Sequence, residues 1–436
     1  RELAHQVGKQ RRIWPLRKVI ANFSDELFNL VPCWLASPET VSAIFPMENM
    51  FDLVVFDEAS QCFTERGIPA MYRGRQVAIS GDSKQLRPND LYQARWEEED
   101  MDDIALEVDS LLDLTAQFLM NVPLKEHYRS KKMELIDFSN RHFYDNTLKI
   151  LPDKEIENNN EPALEYIKVD GQWDKNTNLV EANKVVELVF AIKEQHPNKE
   201  IGVVTFNAKQ QDLILDVLEE QAGLLNKNMP SGLIVKNIEN VQGDEKDIII
   251  FSTAYAPNSE GKMMMQFGSL NQANGENRLN VAITRAREKN IIITSIFPDQ
   301  LKVDNTRNEG PKLLKEYLIF AKSVSNGDFV AQPKVRPKMD RSWFLKDKLI
   351  EWAELAITDG ELREELPFAD ITILKDDKYS GLLITDDDLY YQSPSVKDAH
   401  VYTPFTLSAK HWKFRGIFSR EYWQNEQSVT EELHRF

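Results

Sequence analysis

The chain has 436 residues, a formal net charge of −17, 42% hydrophobic residues and 28% charged residues. That length allows about two to four domains and more than one full core. The acidic balance excludes a uniformly basic coat while leaving room for a local basic groove, and no apolar run approaches a membrane span or a signal peptide.

Residues 1–45 read as a helix-rich lead-in with basic Lys9, Arg11, Arg12, Arg17 and Lys18. Cys33 and Cys62 form no CxxC pair, so neither a disulfide framework nor a zinc site is expected, and a reducing, cytoplasmic setting fits. Pro32 to Pro38 reads as a short strand and turn, followed by a helix from Glu39 to Ile44. Leu53 to Phe56 is an apolar run of the kind buried in parallel sheets, and it ends in two adjacent carboxylates, Asp57 and Glu58. A second strand, Gln76 to Ile79, runs into Gly81-Asp82-Ser83-Lys84-Gln85-Leu86-Arg87-Pro88. Residues 97–109 are strongly acidic and read as a solvated loop.

From about residue 123 basic and aromatic residues gather in Lys125-Glu126-His127-Tyr128-Arg129-Ser130-Lys131-Lys132. Residues 153–162 read as a loop. A helix is expected over 179–195 with Val180, Val185, Val186, Leu188 and Val189 on its apolar side. Ile201 to Phe206, Ile248 to Phe251 and Ile291 to Thr294 read as strands, and 208–222 and 311–323 as helices. Val330 to Pro337 reads as a linker. Strands alternating with helices predict an α/β fold with parallel sheets.

In such sheets the ligand crevice lies beyond the carboxyl ends of the strands, where Asp57 and Glu58 stand. An Asp there can hold Mg²⁺ through oxygen, and a Glu beside it can orient and deprotonate water. Gly81 allows close backbone approach, and Gln85 offers both a donor and an acceptor. Arg129 suits a phosphoryl group and Tyr128 suits stacking on a base. Gly243 permits a tight loop within Asn240 to Asp247. Residues 278–287 have a helical pattern that places Leu279, Ala282, Ile283 and Ala286 on one face, with Arg285 and Arg287 on others. Taken singly, each of these motifs also reads as an ordinary turn or solvated face.

Taken in order, the set resembles motifs II to VI of superfamily 1 helicases. The elements are Asp-Glu-Ala-Ser-Gln, Gly-Asp-x-x-Gln-Leu-x-Pro, Tyr-Arg-Ser, Val-Gln-Gly-x-Glu-x-Asp and Asn-Val-Ala-x-Thr-Arg-Ala. The likeness is to the branch of the nonsense-mediated-decay RNA helicase and related DNA helicases, and it covers roughly residues 30–325. It implies two RecA-like domains with ATP and Mg²⁺ between them, the first incomplete at 1–122 and the second at 123–329. Asp57 would position Mg²⁺, Glu58 would activate water, and Gln85 would couple the γ-phosphate to domain movement. Arg129 and Arg285 would be arginine fingers. Tyr128 would stack on adenine, Glu245 would contact the ribose, and Asp82, Gln242 and Gly243 would support the cleft.

The branch needs a phosphate loop, Gly-x-x-x-x-Gly-Lys-[Ser/Thr], upstream of Asp57. Gly8-Lys9-Gln10 lacks both the earlier Gly and the Ser/Thr, and Gly261-Lys262-Met263 lacks the Ser/Thr. With Arg1 at the start, the expectation is a fragment of a longer polypeptide that alone hydrolyses ATP poorly or not at all.

Residues 338–436 resemble the nuclease domain related to the very-short-patch-repair endonuclease, a restriction-endonuclease-like α/β fold. Asp370 matches the first metal-binding acid. Thr385 stands where the second acid is usual, Gly416 stands where Arg is frequent, and Asp386 or Asp387 are the substitutes at hand. A degenerate nuclease fold used for DNA or partner contact is therefore expected. The leading reading is the C-terminal part of an ATP-dependent helicase or translocase on single-stranded nucleic acid, DNA favoured. A helicase-like binding scaffold without turnover and a Mg²⁺-dependent nuclease fused to a helicase are the alternatives.

Overall fold

The computed structural model describes residues 2–88, 110–159, 161–226, 228–263, 266–304, 306–329, 344–356 and 360–434. The acidic stretch 97–109 and the linker 330–337 lie outside the described residues. The chain forms two compact units, Arg1–Pro123 and Leu124–Phe436. Among the described residues no helix is long and apolar enough to cross a membrane.

In the first unit β1 (Phe51–Phe56) and β2 (Gly74–Ile79) pair in parallel, with Phe56 opposite Ile79. The period of two sorts the side chains. Val54, Phe56, Val77 and Ile79 pack with Ala59, Ala70 and Leu111, whereas Leu53 and Val55 turn the other way and are 51% and 61% exposed. A groove of about 650 Å³ is lined by Trp34, Phe45, Leu53 and Val55 together with Asp57 and Glu58. The expected strand at Pro32 to Pro38 is absent, and residues 31–37 are irregular. Proline lacks the N–H that a ladder needs. The segment is held instead by Trp34, edge-on to Phe45 at 5.3 Å. The helix after it is Pro38–Ile44, capped by Ser37, whose Oγ accepts from the Thr40 N–H at 3.3 Å.

The second unit opens with a short parallel ribbon, β3 (Glu126–His127) on β4 (Lys149–Ile150). Five parallel strands follow: β5 (Leu164–Lys168), β6 (Ile201–Thr205), β7 (Ile234–Asn237), β8 (Lys246–Ser252) and β9 (Ala286–Thr294). They lie in the order β5-β9-β8-β6-β7. The isoleucine and valine runs of β6, β8 and β9 are buried on both faces, as parallel strands between helices must be. Helix Leu179–Gln195 packs Ala182, Val185, Val186 and Val189 into the same core, while Val180 at its start is exposed. Asn178 caps this helix and Asn207 caps Ala208–Leu224, each through a side-chain oxygen that accepts a backbone N–H. The expected loop at 153–162 contains a short helix, Lys154–Glu157, capped by Asp153.

The helical pattern expected over 278–287 ends early. The helix is Gly275–Ile283, and Ala286 and Arg287 already belong to β9. Parallel pairing of Lys246 with Ala286 takes the chain into the sheet there, overriding a helical spacing that happens to continue through Ala286.

Residues 344–434 add a second sheet, in the order β10 (Glu361–Arg363), β11 (Ile371–Lys375), β12 (Lys378–Thr385) and β13 (Phe414–Ile417). One face carries Ile371, Ile373, Leu383 and Ile417 against helix Leu345–Ala356 and Tyr422, Val429 and Leu433. The other face, with Leu382, Leu407 and Trp412, is completed by Met133, Ile136 and Ile150 from the beginning of the second unit.

Three carboxylates meet at this junction. Glu134 Oε2, Glu157 Oε2 and Glu365 Oε1 are sealed from solvent without a hydrogen-bond partner. Burial, with Glu134 and Glu365 adding repulsion against Lys132 and the Met133 N–H, pushes Glu157 from 4.5 up to about 8. The folded chain thus keeps a proton that the unfolded chain releases above 4.5, so stability falls as pH rises towards 8. Glu157→Gln removes this titration. Between about pH 5 and pH 8 the variant should gain about 1–3 kcal/mol on the wild type in urea unfolding. Parallel pH profiles for the two proteins would rule the assignment out.

Candidate active site

At the end of β1 the register continues beyond the strands. The Ser80 N–H donates to Phe56 O at 2.8 Å and the Ala59 N–H donates to Ser80 O at 2.9 Å. These bonds bring the loop at 57–60 beside the loop at 80–82. Gly81 lets the two loops come close, since a Cβ would stand a tight 3.1 Å from the amide nitrogens of Ala59 and Ser60. Glu58 adopts a left-handed conformation, φ 53° and ψ 41°, and both Asp57 and Glu58 are exposed. One Asp57 oxygen accepts the Glu58 N–H at 3.0 Å. Asp82 organises the second loop, accepting the Lys84 N–H at 2.8 Å and the Gln85 side-chain amide at 2.9 Å. Asp57, Glu58, Asp82 and Gln85 thus lie on two adjacent strand ends.

The carboxylates of Asp57 and Glu58 are oxygen donors of the kind a hard divalent cation takes, and three positions after Asp57 the Ser60 hydroxyl is buried and unpartnered. Among the described residues no three His, Cys, Asp or Glu side chains converge as a metal cage. Mg²⁺ held by one or two carboxylates together with substrate phosphates needs no such cage.

In the second unit the motif residues meet at the amino ends of the strands. Arg129 donates to Glu245 Oε2 at 2.9 Å and to Thr284 O at 3.5 Å, which sets it beside the turn bearing Arg285. Arg285 is buried, its Nε donating to Val281 O at 2.8 Å and Nη2 to Thr284 Oγ1 at 3.2 Å. Tyr128 is 76% exposed, with the Arg129 guanidinium 5.8 Å from its ring centre. His127 Nε2 accepts the Ser130 N–H at 3.1 Å, so that nitrogen carries no proton. Burial, with Arg129, Arg285 and Lys410 nearby, lowers its pKa to about 4. Gln242 is half-buried, and Gly243 takes φ +84°, a conformation that favours glycine.

Sequence reading missed the lattice that holds these groups. Arg287 pairs with Glu245 at 3.4 Å, with Asp247 at 2.9 Å and with Glu200, which also takes Lys246 at 3.1 Å. The Arg129 hydrogen bond is the main reason the Glu245 carboxyl stays below its ordinary range. Glu200, Asp247 and Arg287 stand at the amino ends of β6, β8 and β9, and charged residues directly before apolar strands were the available signal.

A second missed cluster ties the opposite strand ends together. Buried Glu181 accepts from Ser252 Oγ at 2.8 Å, Ala254 N at 2.7 Å, Ser295 Oγ at 2.9 Å and Asn178 Nδ2 at 3.2 Å. Burial raises it to about 7 despite these donors.

In the C-terminal sheet the candidate nuclease acids are engaged with backbone N–H groups. Asp370 is buried and accepts the Thr385 N–H at 2.8 Å. Asp386 accepts both N–H and Oγ of Ser419, at the start of helix Ser419–Gln424. Asp387 accepts the N–H groups of Leu345 and Lys346 and the hydroxyl of Thr385.

Residues 109–296 match the family described as AAA domain. The chain is 32% identical over 441 residues to a Mycoplasma pneumoniae protein named as an uncharacterized ATP-dependent helicase, covering 93% of this chain and 38% of the relative. A Mycoplasma genitalium protein of like name is 35% identical over 318 residues, covering 69% of this chain and 28% of the relative. The DNA replication ATP-dependent helicase/nuclease of Gallus gallus is 25% identical over 281 residues, covering 62% and 25%. The chain therefore spans 38% or less of the length of these relatives. Together with the ordered motifs, these matches support kinship with the superfamily 1 ATP-dependent helicases.

Proposed function

We propose that the chain is the C-terminal motor portion of a superfamily 1 helicase or translocase that couples ATP hydrolysis to movement on single-stranded nucleic acid. The observation that carries this reading is the meeting of Arg129, Glu245 and the turn at Thr284, drawn from three distant stretches of sequence. Phosphoryl transfer is mainly positioning and charge neutralisation, and an arginine held in place by a carboxylate and a carbonyl can supply both. In this reading Asp57 holds Mg²⁺, which when bound neutralises charge on the phosphates. Glu58 takes the proton of the attacking water, and Gln85, fixed by Asp82, senses the γ-phosphate. Arg129 and Arg285 neutralise the transferring group. Tyr128 stacks on adenine, with Gln242, Gly243 and Glu245 along the sugar.

DNA is favoured over RNA because the tail is similar to a DNA-repair nuclease. Grip on the strand should be sequence-tolerant and salt-sensitive. The tail serves DNA or partner contact rather than cleavage, since Thr385 stands where the second metal-binding acid is usual and the nearby Asp386 and Asp387 are drawn to helix starts. The phosphate loop that the reading requires comes from outside residues 1–436.

The test is ATP turnover with and without single-stranded DNA or RNA, using residues 1–436 and the full-length protein. Stimulated hydrolysis is expected from the full-length protein only, with DNA the better activator and no DNA cleavage in Mg²⁺ or Mn²⁺. Robust DNA-stimulated hydrolysis by residues 1–436, or cleavage abolished by Asp370→Ala, would refute the corresponding part.

A further inference from the structure

We infer that the C-terminal sheet braces the loop that carries Arg129, making Asn158 and Trp412 positioning residues for ATP turnover. The inference rests on the reading of Arg129 given above, and it assigns the tail a role that needs no nuclease chemistry.

Arg129 follows β3, and the loop behind it is held from two sides. On one side the Lys131 N–H donates to Arg287 O at 2.9 Å and Lys131 Nζ pairs with Glu288 at 2.7 Å, fixing the loop to β9. On the other side lies β4 and the turn after it, where the Asp153 N–H donates to Lys131 O at 3.3 Å. That turn is gripped by the tail. Trp412 Nε1 donates to Pro152 O at 2.8 Å, and the Lys154 N–H donates to Lys410 O at 3.1 Å. Lys154 Nζ donates to Ser380 O at 3.2 Å. Asn158 bonds the Tyr379 backbone in both directions, accepting its N–H at 2.6 Å and donating to its carbonyl at 3.0 Å. Beneath these bonds Ile150 of β4 shares a core with Leu382, Leu407 and Trp412.

A domain merely tethered by a linker would cover both faces of its own sheet. This one leaves Leu382 and Trp412 to be covered by Met133, Ile136 and Ile150, residues adjoining the ribbon that ends in Tyr128 and Arg129. The tail therefore sets how tightly that ribbon is held. An arginine that must meet a transferring phosphoryl group depends on such precision, because small misplacements cost rate more than binding.

The experiment uses the full-length protein with Asn158→Ala and Trp412→Phe combined, which removes the hydrogen bonds of those two side chains, leaves those of Lys154 and keeps an aromatic ring in the core. Val429→Ala, in the core on the opposite face of the sheet, controls for general loosening of the tail. Amide hydrogen exchange over residues 125–153 should quicken about tenfold in the double variant and little in the control. Its kcat should fall about tenfold with KM for ATP within about twofold, and in an Arg129→Ala background the same pair should cost nothing further. Unchanged exchange at 125–153 would overturn the brace, as would an equal loss in the Arg129→Ala background or in the control. Wild-type turnover by Arg129→Ala alone would remove the reading on which the brace rests. That outcome is separable, because exchange reports the brace without any turnover.

Discussion

Glu58→Gln should cut nucleic-acid-stimulated ATP turnover by about 10²–10⁴-fold, the range for loss of a positioned general base. Affinity for ATP should hardly change. Glutamine keeps the length and hydrogen-bonding capacity of the side chain but cannot take a proton at neutral pH. The backbone argues for a dedicated role. A residue with a Cβ sits in the left-handed region at φ 53°, two residues after the buried Phe56 that ends β1. Such conformations persist where the surrounding structure over-determines them. Here the neighbouring strand end supplies that constraint, through Ser80 O accepting the Ala59 N–H at 2.9 Å. The measurement is steady-state turnover beside equilibrium binding of ATP. Turnover within tenfold of wild type, with binding intact, would assign the water-activating role elsewhere.

Arg129→Ala should lower kcat by about 10³-fold or more, as removal of an arginine finger does. Arg129→Lys should recover only part of this loss, because an ammonium keeps the charge and loses the planar fork. The guanidinium already holds a carboxylate, Glu245, at 2.9 Å and leans on the Thr284 carbonyl at 3.5 Å. An incoming phosphoryl group must therefore draw Arg129 away from Glu245, and Arg287 stands ready to keep Glu245 neutralised at 3.4 Å. Glu245→Gln should accordingly be far milder than Arg129→Ala, since it weakens a contact that ATP competes with. If single-turnover rates show the two variants equally impaired, Arg129 acts by holding Glu245 rather than by meeting the phosphate.

The order of the motifs made the α/β fold class legible and supplied a set of candidate site groups. Apolar runs such as Ile248 to Phe251 announce buried parallel strands, because only a sheet covered on both faces tolerates them. Helix Leu179–Gln195 was readable from its apolar valines, although Val180 at its start is exposed, and its Asn178 cap came only with the structure. Three features were not readable, for different physical reasons. The end of the helix at Ile283 is decided by pairing of Ala286 with Lys246, a long-range contact that leaves no local trace. The Arg287 lattice joins residues that are 87 and 40 positions apart. Asp386 and Asp387, read as substitutes for a second metal-binding acid, accept N–H groups at the starts of helices 33 and 41 positions away, a pairing that leaves no local trace.

The core shared between Ile150 and Trp412 also has a consequence for how the protein is made. Trp412 reaches Pro152 across a separation of 260 positions. At about 5–20 residues per second, a ribosome leaves Met133, Ile136 and Ile150 without their covering layer for roughly ten seconds to a minute. During synthesis this stretch is thus an exposed apolar patch and a natural client for chaperones. Any product ending short of residue 412 would carry that patch permanently, so truncated chains should be cleared by proteolysis rather than accumulate as shortened motors.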